Sequence, residues 1–278
     1  MPELPEVETT CQGIQPYVEN QTIIQFIIRN GRLRWPVEPH LTQTLQNTLI
    51  QSVTRRGKYI LLTTKKGVLM LHLGMSGNLR ILPCDTPPIK HDHIDITLSN
   101  HQVLRLNDPR RFGSVLWHDT KKGSVNTHKL LCNLAPEPLS KEFNADYLYQ
   151  KIKRKNVAIK KLIMNNQIIV GAGNIYASEA LFNTKIHPLT LGKELSKQDC
   201  QQLVAHIQNV LRESIKQGGT TLKDFLKPDG KPGYFVQKLN VYGRTGQSCT
   251  QCHTTIEKII ISQRASFFCP KCQPLKES

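Results

Sequence analysis

Several ordinary features are scarce in this chain of 278 residues. No stretch approaches the ~18–20 consecutive apolar residues of a membrane span. The first apolar run, TIIQFII at 22–28, is short and is interrupted by Gln25. The opening MPELPEVE is acidic, unlike the basic start of an export signal, so the chain is expected to be cytoplasmic, with no membrane partner. Repeats and low-complexity tracts are missing too. Aromatic residues make up 6% of the chain and tryptophan occurs twice. Hydrophobic residues stand at 38%, beside 17 Gly and 16 Pro, which is globular rather than disordered composition. Among charges the acids are the deficit, with 21 Asp+Glu against 37 Lys+Arg and a formal net charge of +16. A cation this strong points to a polyanionic partner. The length fits about two domains and buries about 70–75% of the unfolded surface, so no disulfide staple is needed.

Along the first ~130 residues the pattern is strand-like. The runs are 22–29, 58–64, 67–73, 94–99, 103–108 and 114–119, rich in Ile, Val, Leu and Thr and punctuated by Gly, Asn or Pro. Many short strands suggest an antiparallel sandwich or barrel. One helix precedes them, because Pro2, Pro5, Glu3, Glu6 and Glu8 suit a helix N-terminus. LAPEPLSKEF at 134–143 reads as a linker. Beyond it the pattern turns helical, with one helix expected over 146–164, a second over 174–182 and a third capped by Ser196 and stopped by Gly218 and Gly219. Residues 218–235 read as a mobile loop.

Of the eight cysteines, Cys11, Cys84, Cys132 and Cys200 are scattered and read as reduced thiols. Cys249-x-x-Cys252 and Cys269-x-x-Cys272 lie sixteen residues apart, a structural-zinc spacing. Four thiolates close a tetrahedron around one Zn2+ and leave no open position for catalysis. Two disulfides are the alternative, and the expected compartment disfavours them. Between the pairs, IEKIIISQRASFF reads as a hairpin with Gln263-Arg264-Ala265 at its turn. An arginine held there suits a phosphate. By itself, though, the spacing also fits a solvated turn.

Two further segments carry chemistry. NNQIIVGAGNIY at 165–176 joins two helices through Gly171 and Gly173, with Asn174 expected at the N-cap, where a helix start favours an anion. An ordinary capped helix would look the same. At the N-terminus, removal of Met1 would expose Pro2 as a secondary amine. Such an amine condenses with an aldehyde to a cationic iminium, with Glu3 and Glu6 at hand to move protons. A terminus of this composition is also common without any function.

Taken together, MPELPEVET (1–9), RNGRLRWP (29–36), HLGMSGNLRI (72–81), KHDHID (90–95), DPRRFG (108–113), VGAGNIYASEALF (170–182), GGTTLKDF (218–225), GKPGYF (230–235), VYGR (241–244) and the four-Cys finger resemble the bacterial formamidopyrimidine-DNA glycosylases over essentially the whole chain. The resemblance implies an α+β fold. Residues 1–133 would form a catalytic β-sandwich with an N-terminal helix, and 134–237 a helical helix–two-turn–helix DNA-binding domain whose loop 218–235 closes over the lesion. Residues 238–274 would form a zinc finger.

The same resemblance implies a monomeric base-excision-repair enzyme with one structural Zn2+, acting on double-stranded DNA with oxidised purines or abasic sites. It would excise 8-oxoguanine and formamidopyrimidines and cut the strand by β,δ-elimination. Pro2 would be the nucleophile, Glu3 the acid/base, Glu6 a supporting carboxylate, Lys58 a proton donor in β-elimination, and Arg264 the phosphate contact in δ-elimination. His72, His91, Arg110, Lys151, Asn174 and Tyr242 would contact DNA. Met75, Arg110 and Phe112 would form the wedge that fills the gap left by an extruded nucleotide. Without the resemblance, Met75 and Phe112 read as core packing, and His91 and His93 as a pair on one strand face that lacks a third metal ligand. Gly57 before Lys58 and the basic run Lys151–Lys161 are features of this chain that bear on the poise of Lys58.

Two other readings compete. An endonuclease VIII-like enzyme for oxidised pyrimidines shares the superfamily. A non-catalytic zinc-finger DNA-binding protein shares the charge and the finger but leaves the Pro2–Glu3 start without a role.

Overall fold

The structure is a computed structural model, and it describes residues 2–218 and 239–275. Among these the chain divides into two units, 2–132 and 133–216 with 239–275. The sequence-expected loop 218–235 lies outside the described residues apart from Gly218.

The first unit opens with α1 (Leu4–Val18). Leu4, Val7, Cys11, Ile14 and Val18 recur at helical spacing and are all buried. Each large apolar side chain so buried contributes ~1.5–3 kcal/mol. The strands are β1 (Thr22–Ile28), β2 (Thr48–Arg56), β3 (Tyr59–Thr64), β4 (Gly67–His72), β5 (Asn78–Pro83), β6 (Asp92–Leu98), β7 (Gln102–Asn107) and β8 (Ser114–Asp119), with the short α2 (Leu41–Leu45) before β2. They run in the order β5-β7-β6-β1-β2-β3-β4-β8 with antiparallel pairing throughout. β1 and β2 share only the pairs Thr22↔Leu49 and Ile23↔Thr48. The sheet folds over at this weak seam into two layers around one core, which α1 closes with Val7, Cys11, Ile14 and Val18. Strand runs expected from sequence all form. β2 and β5, which were not expected, are partly exposed strands with charged or polar residues in them.

In the second unit the helices are α3 (Ala145–Ile152), α4 (Ile159–Ile163), α5 (Asn174–Asn183) and α6 (Lys197–Lys216). The single helix expected over 146–164 is two. The chain leaves helical geometry after Lys153, and Ala158 forms an antiparallel bridge with Leu191. The Ile159 and Gly192 amides then find acceptors at Thr190 O (2.7 Å) and Val157 O (3.0 Å). A tertiary strand contact thus outcompetes the local helix pattern. Ser196 caps α6 as expected, accepting from Asp199 N at 3.1 Å while Asp199 accepts from Ser196 N at 2.9 Å. The unit ends in a hairpin of β9 (Glu257–Ile261) and β10 (Arg264–Phe268). No described helix is long and apolar enough to cross a membrane.

Candidate active site

Pro2 is buried, and Glu3 and Glu6 behind it are 2% and 0% exposed. The Glu3 amide donates to Glu6 Oε2 at 2.8 Å, one half of a capping box that starts α1. Buried carboxylates are costly unless they accept hydrogen bonds, and a helix start supplies donors and a favourable dipole. The sequence PELPE therefore places an imino acid and two carboxylates in one closed turn.

Lys58 lies in the two-residue β2–β3 turn, after Gly57, whose φ of +58° suits glycine. Arg55 Nε donates to Glu8 Oε2 at 2.6 Å and its Nη1 to Gly57 O at 2.9 Å. The lysine-bearing turn is thereby tied to α1. His72 pairs across the sheet with Tyr59, their ring centres 4.8 Å apart. Its Nδ1 accepts from Gly74 N at 3.0 Å, so the Nε2–H tautomer is set. Burial, reinforced by the charges of Lys58 and Arg34, pulls its pKa down to about 4. His72 is thus neutral at physiological pH and offers a hydrogen-bond donor at Nε2.

Met75, Arg110 and Phe112 occupy two loops and are exposed, Met75 at 37% and Phe112 at 44%. They are not core residues. The Arg110 guanidinium lies 5.0 Å from the Phe112 ring centre. One fully buried side chain holds both loops. Asp108 Oδ1 accepts from Ser76 Oγ at 2.6 Å, Oδ2 accepts from Gly113 N at 2.7 Å, and Ser76 Oγ accepts from Arg110 N at 3.1 Å. The glycines here are steric requirements. A Cβ on Gly74 would lie 2.3 Å from the Phe112 carbonyl carbon, and Gly74 also has φ of +63°.

The Asp108 backbone gathers the histidines as well. Its amide donates to His91 O at 3.1 Å, and its carbonyl oxygen lies 2.9 Å from His93 Nε2. His93 is buried, whereas His91 stands half-exposed before β6 with φ of +73°. Their rings lie 6.3 Å apart, edge to face, although His91 precedes the strand. Behind them Asp92 and Asp95 hold Arg80, Arg105 and Arg29, with Arg105 donating twice to Asp95 at 2.8 Å.

In the second unit Asn174 does not cap α5. Gly173 is the N-cap and Asn174 the first helical residue. Its Nδ2 instead donates 2.8 Å to Ala265 O in β10. Lys160 Nζ, also buried, reaches Ser178 Oγ at 2.9 Å and the same carbonyl at 3.3 Å. Arg264, the neighbour of Ala265, is thereby fixed beside the start of α5. The β9–β10 turn itself is Ser262-Gln263, both with positive φ, so exposed Arg264 opens β10 instead of sitting in the turn. Tyr242 packs its ring 4.9 Å from that of Phe267 and donates its amide to buried Glu179 Oε1 at 2.9 Å. Lys151 is exposed at the end of α3, with its ammonium 5.6 Å from the Tyr147 ring centre.

The sulfurs of Cys249, Cys252, Cys269 and Cys272 all lie within 4.8 Å of one another. Cys252–Cys269 and Cys249–Cys272 stand at 3.4 and 3.9 Å, near the ~3.8 Å edge of a tetrahedron with 2.3 Å Zn–S bonds. Gln251 N and Cys272 N each point at a cysteine sulfur at 3.4 Å. The donor set and its spacing fit one structural Zn2+. None of the eight cysteines is in a disulfide, and burial raises Cys11 to about 12 and Cys200 to about 11.

Three family models cover most of the chain. Residues 1–115 match the formamidopyrimidine-DNA glycosylase N-terminal domain, 134–226 its H2TH domain, and 246–275 a zinc finger found in FPG and IleRS. The chain belongs to the formamidopyrimidine-DNA glycosylase family. The enzyme of that name from Hydrogenovibrio crunogenus is 56% identical over 278 residues, covering 100% of this chain and 98% of its own. The Lactococcus lactis family member bound to DNA with an abasic site superposes with a TM-score of 0.90 at 31% identity, covering 98% of this chain and 100% of that one. MutM in complex with DNA containing carbocyclic 8-oxo-G gives 0.90 at 32%, covering 99% and 100%. Like those of the family, this chain joins a sheet-rich unit to a helical one ending in a four-cysteine finger. Asp108, Ser76, Glu179 and Lys160 were not singled out from sequence. The first two lie inside DPRRFG and HLGMSG, but a sequence does not show which acid of a polar loop turns inward.

Proposed function

We propose that this protein is a bifunctional DNA glycosylase and abasic-site lyase of bacterial base-excision repair. It acts in the cytoplasm on nucleoid DNA. Its substrates are oxidised purines, 8-oxoguanine and formamidopyrimidines, in duplex DNA. The observation that carries the reading is the first turn of α1, where Pro2 precedes two buried, hydrogen-bonded carboxylates.

Removal of Met1 changes the Pro2 nitrogen from a tertiary amide to a secondary amine. An α-amine with a pKa near ~7.7–8.0 keeps a useful unprotonated fraction at neutral pH. Its lone pair attacks C1′ of the lesion sugar. The C1′–N9 bond breaks, and the base departs with that electron pair and takes up a proton. Glu3 protonates O4′ as the sugar ring opens, leaving a Pro2–C1′ iminium that is cationic without further protonation. Loss of the C2′ proton expels the 3′ phosphate, with Lys58 as proton donor. Loss of the C4′ proton then expels the 5′ phosphate, which Arg264 binds. Water releases the sugar and restores Pro2. Glu6 holds the Glu3 backbone in place throughout. Met75, Arg110 and Phe112 fill the stack, and His72, His91, Lys151, Asn174 and Tyr242 hold the strands. Zn2+ acts structurally, keeping Arg264 on a rigid hairpin.

The substrate assignment is tested by comparing base release from duplexes carrying 8-oxoguanine opposite cytosine and thymine glycol opposite adenine. Faster release of 8-oxoguanine, with a product gapped on both sides, is expected. Preference for thymine glycol would move the protein to the pyrimidine branch.

A further inference from the structure

A cleft of about 520 Å³ opens in the first unit between the 35–38 segment, β8 and residues 122–130. No catalytic or wedge residue lines it. Its size falls within the ~300–1,000 Å³ of small-molecule sites. Both tryptophans of the chain, Trp35 and Trp117, form its walls. Trp35 is 42% exposed, an unusual cost for the largest aromatic unless the face is used. The Lys129 ammonium lies 5.8 Å from its ring centre, and Lys122 is on the same lining. The carboxylate of the lining, Glu38, has His40 Nε2 at 3.3 Å.

The remaining walls offer hydrogen bonds. Among the described residues β8 is the last strand of its sheet, so Leu116–His118 present a strand edge with no neighbour among them. The His128 Nδ1 accepts from Leu130 N at 3.3 Å, which leaves Nε2–H as a donor. One rim is anchored at the wedge, because Arg34, next to Trp35, donates its amide to Gly113 O at 3.0 Å, beside Phe112.

We infer that this cleft binds one unpaired nucleotide, with its base stacked on Trp35, its base edge facing β8 and His128, and its phosphate between Lys122 and Lys129. An indole face, backbone groups for a base edge and two lysines are the elements that recognise a nucleoside monophosphate without regard to pairing. The ligand is either a free nucleotide or a nucleotide displaced from a DNA strand, since both present the same groups.

Because the chain has no other tryptophan, indole emission reports on this cleft alone. The probes are 5′-dGMP, 5′-dAMP, a single-stranded tetranucleotide and deoxyribose 5-phosphate, with equilibrium dialysis as a second readout. Saturable quenching by the base-bearing probes and none by deoxyribose phosphate is expected. Trp35→Ala should weaken dialysis affinity about 5- to 100-fold, Trp35→Phe should restore most of it, and Lys129→Glu should weaken it and flatten its salt dependence. Binding of the mononucleotides identifies the free source, and binding of the tetranucleotide alone identifies the strand. Non-saturable quenching, equal binding of deoxyribose phosphate, or undiminished affinity in Trp35→Ala overturns the site. Excision of 8-oxoguanine is measured on the same variants and should persist. Its absence in the unmodified protein would count against the proposed function and not against the cleft.

Discussion

In the first unit Met75, Arg110 and Phe112 stand on loops tied to a single buried carboxylate, Asp108. In the second, Arg264 stands on a hairpin whose base is four cysteines and whose flank is pinned by Asn174 and Lys160. The sandwich has a large core beneath its loops, so hydrogen bonds are enough to orient them. The finger's own core is a few side chains, Val241, Ile256 and Phe267 among them, packed on Phe182. So small a core needs a metal, since zinc supplies ~10–16 kcal/mol of folding free energy in isolated fingers. The two units should therefore fail under different insults.

The largest separation comes from zinc. Chelation, or Cys249→Ser, should unfold the finger and lower affinity for abasic duplex by about 100-fold or more, with the thermal transition of the first unit unmoved. Calorimetry and a binding titration on one preparation check this. A joint loss of both units would erase the contrast. Next in size is Asp108→Ala, which strips the acceptor from Ser76 Oγ and Gly113 N. With about 1–3 kcal/mol for each of the two orphaned buried donors, the first unit should lose about 2–6 kcal/mol in urea unfolding. The chelator response of the finger should stay as it was.

These two centres differ in how far the sequence revealed them. The finger was legible because C-x-x-C pairs at that separation have few other uses. The helix start was legible because Pro and Glu at fixed offsets mark an N-terminus. Asp108 was invisible, since its burial depends on contacts from Ser76 and His91, far away in sequence. Asn174 was placed one position off, because its side chain finds Ala265 across the fold rather than its own helix. The break between α3 and α4 was missed for the same reason, a bridge to Leu191 that no local pattern encodes. Arg264 slipped out of the turn because Ser262 and Gln263 adopt left-handed geometry usually left to Gly or Asn.

Acid sharpens the comparison further. The folded pKa of His72, about 4, lies below the ordinary 6.5. The folded state therefore disfavours the proton, and this stabilisation is complete above about 6.5 and lost as pH falls toward 4. By linkage the loss reaches up to about 3 kcal/mol. Melting of His72→Gln should show a flatter decline over that window than the unmodified protein, and parallel curves would refute the assignment. The smallest effect is Gln263→Gly, which relieves left-handed strain at φ of +65° and should stabilise the finger hairpin by about 0.5–1 kcal/mol in zinc-loaded melts.

The most direct measurement is borohydride reduction of the protein mixed with an 8-oxoguanine duplex, followed by mass analysis of the N-terminal peptide. With Met1 removed, the account predicts a covalent adduct on the Pro2 nitrogen. With Met1 retained, that Pro2 adduct should be absent while duplex binding persists. An adduct of full yield on any other residue would contradict it.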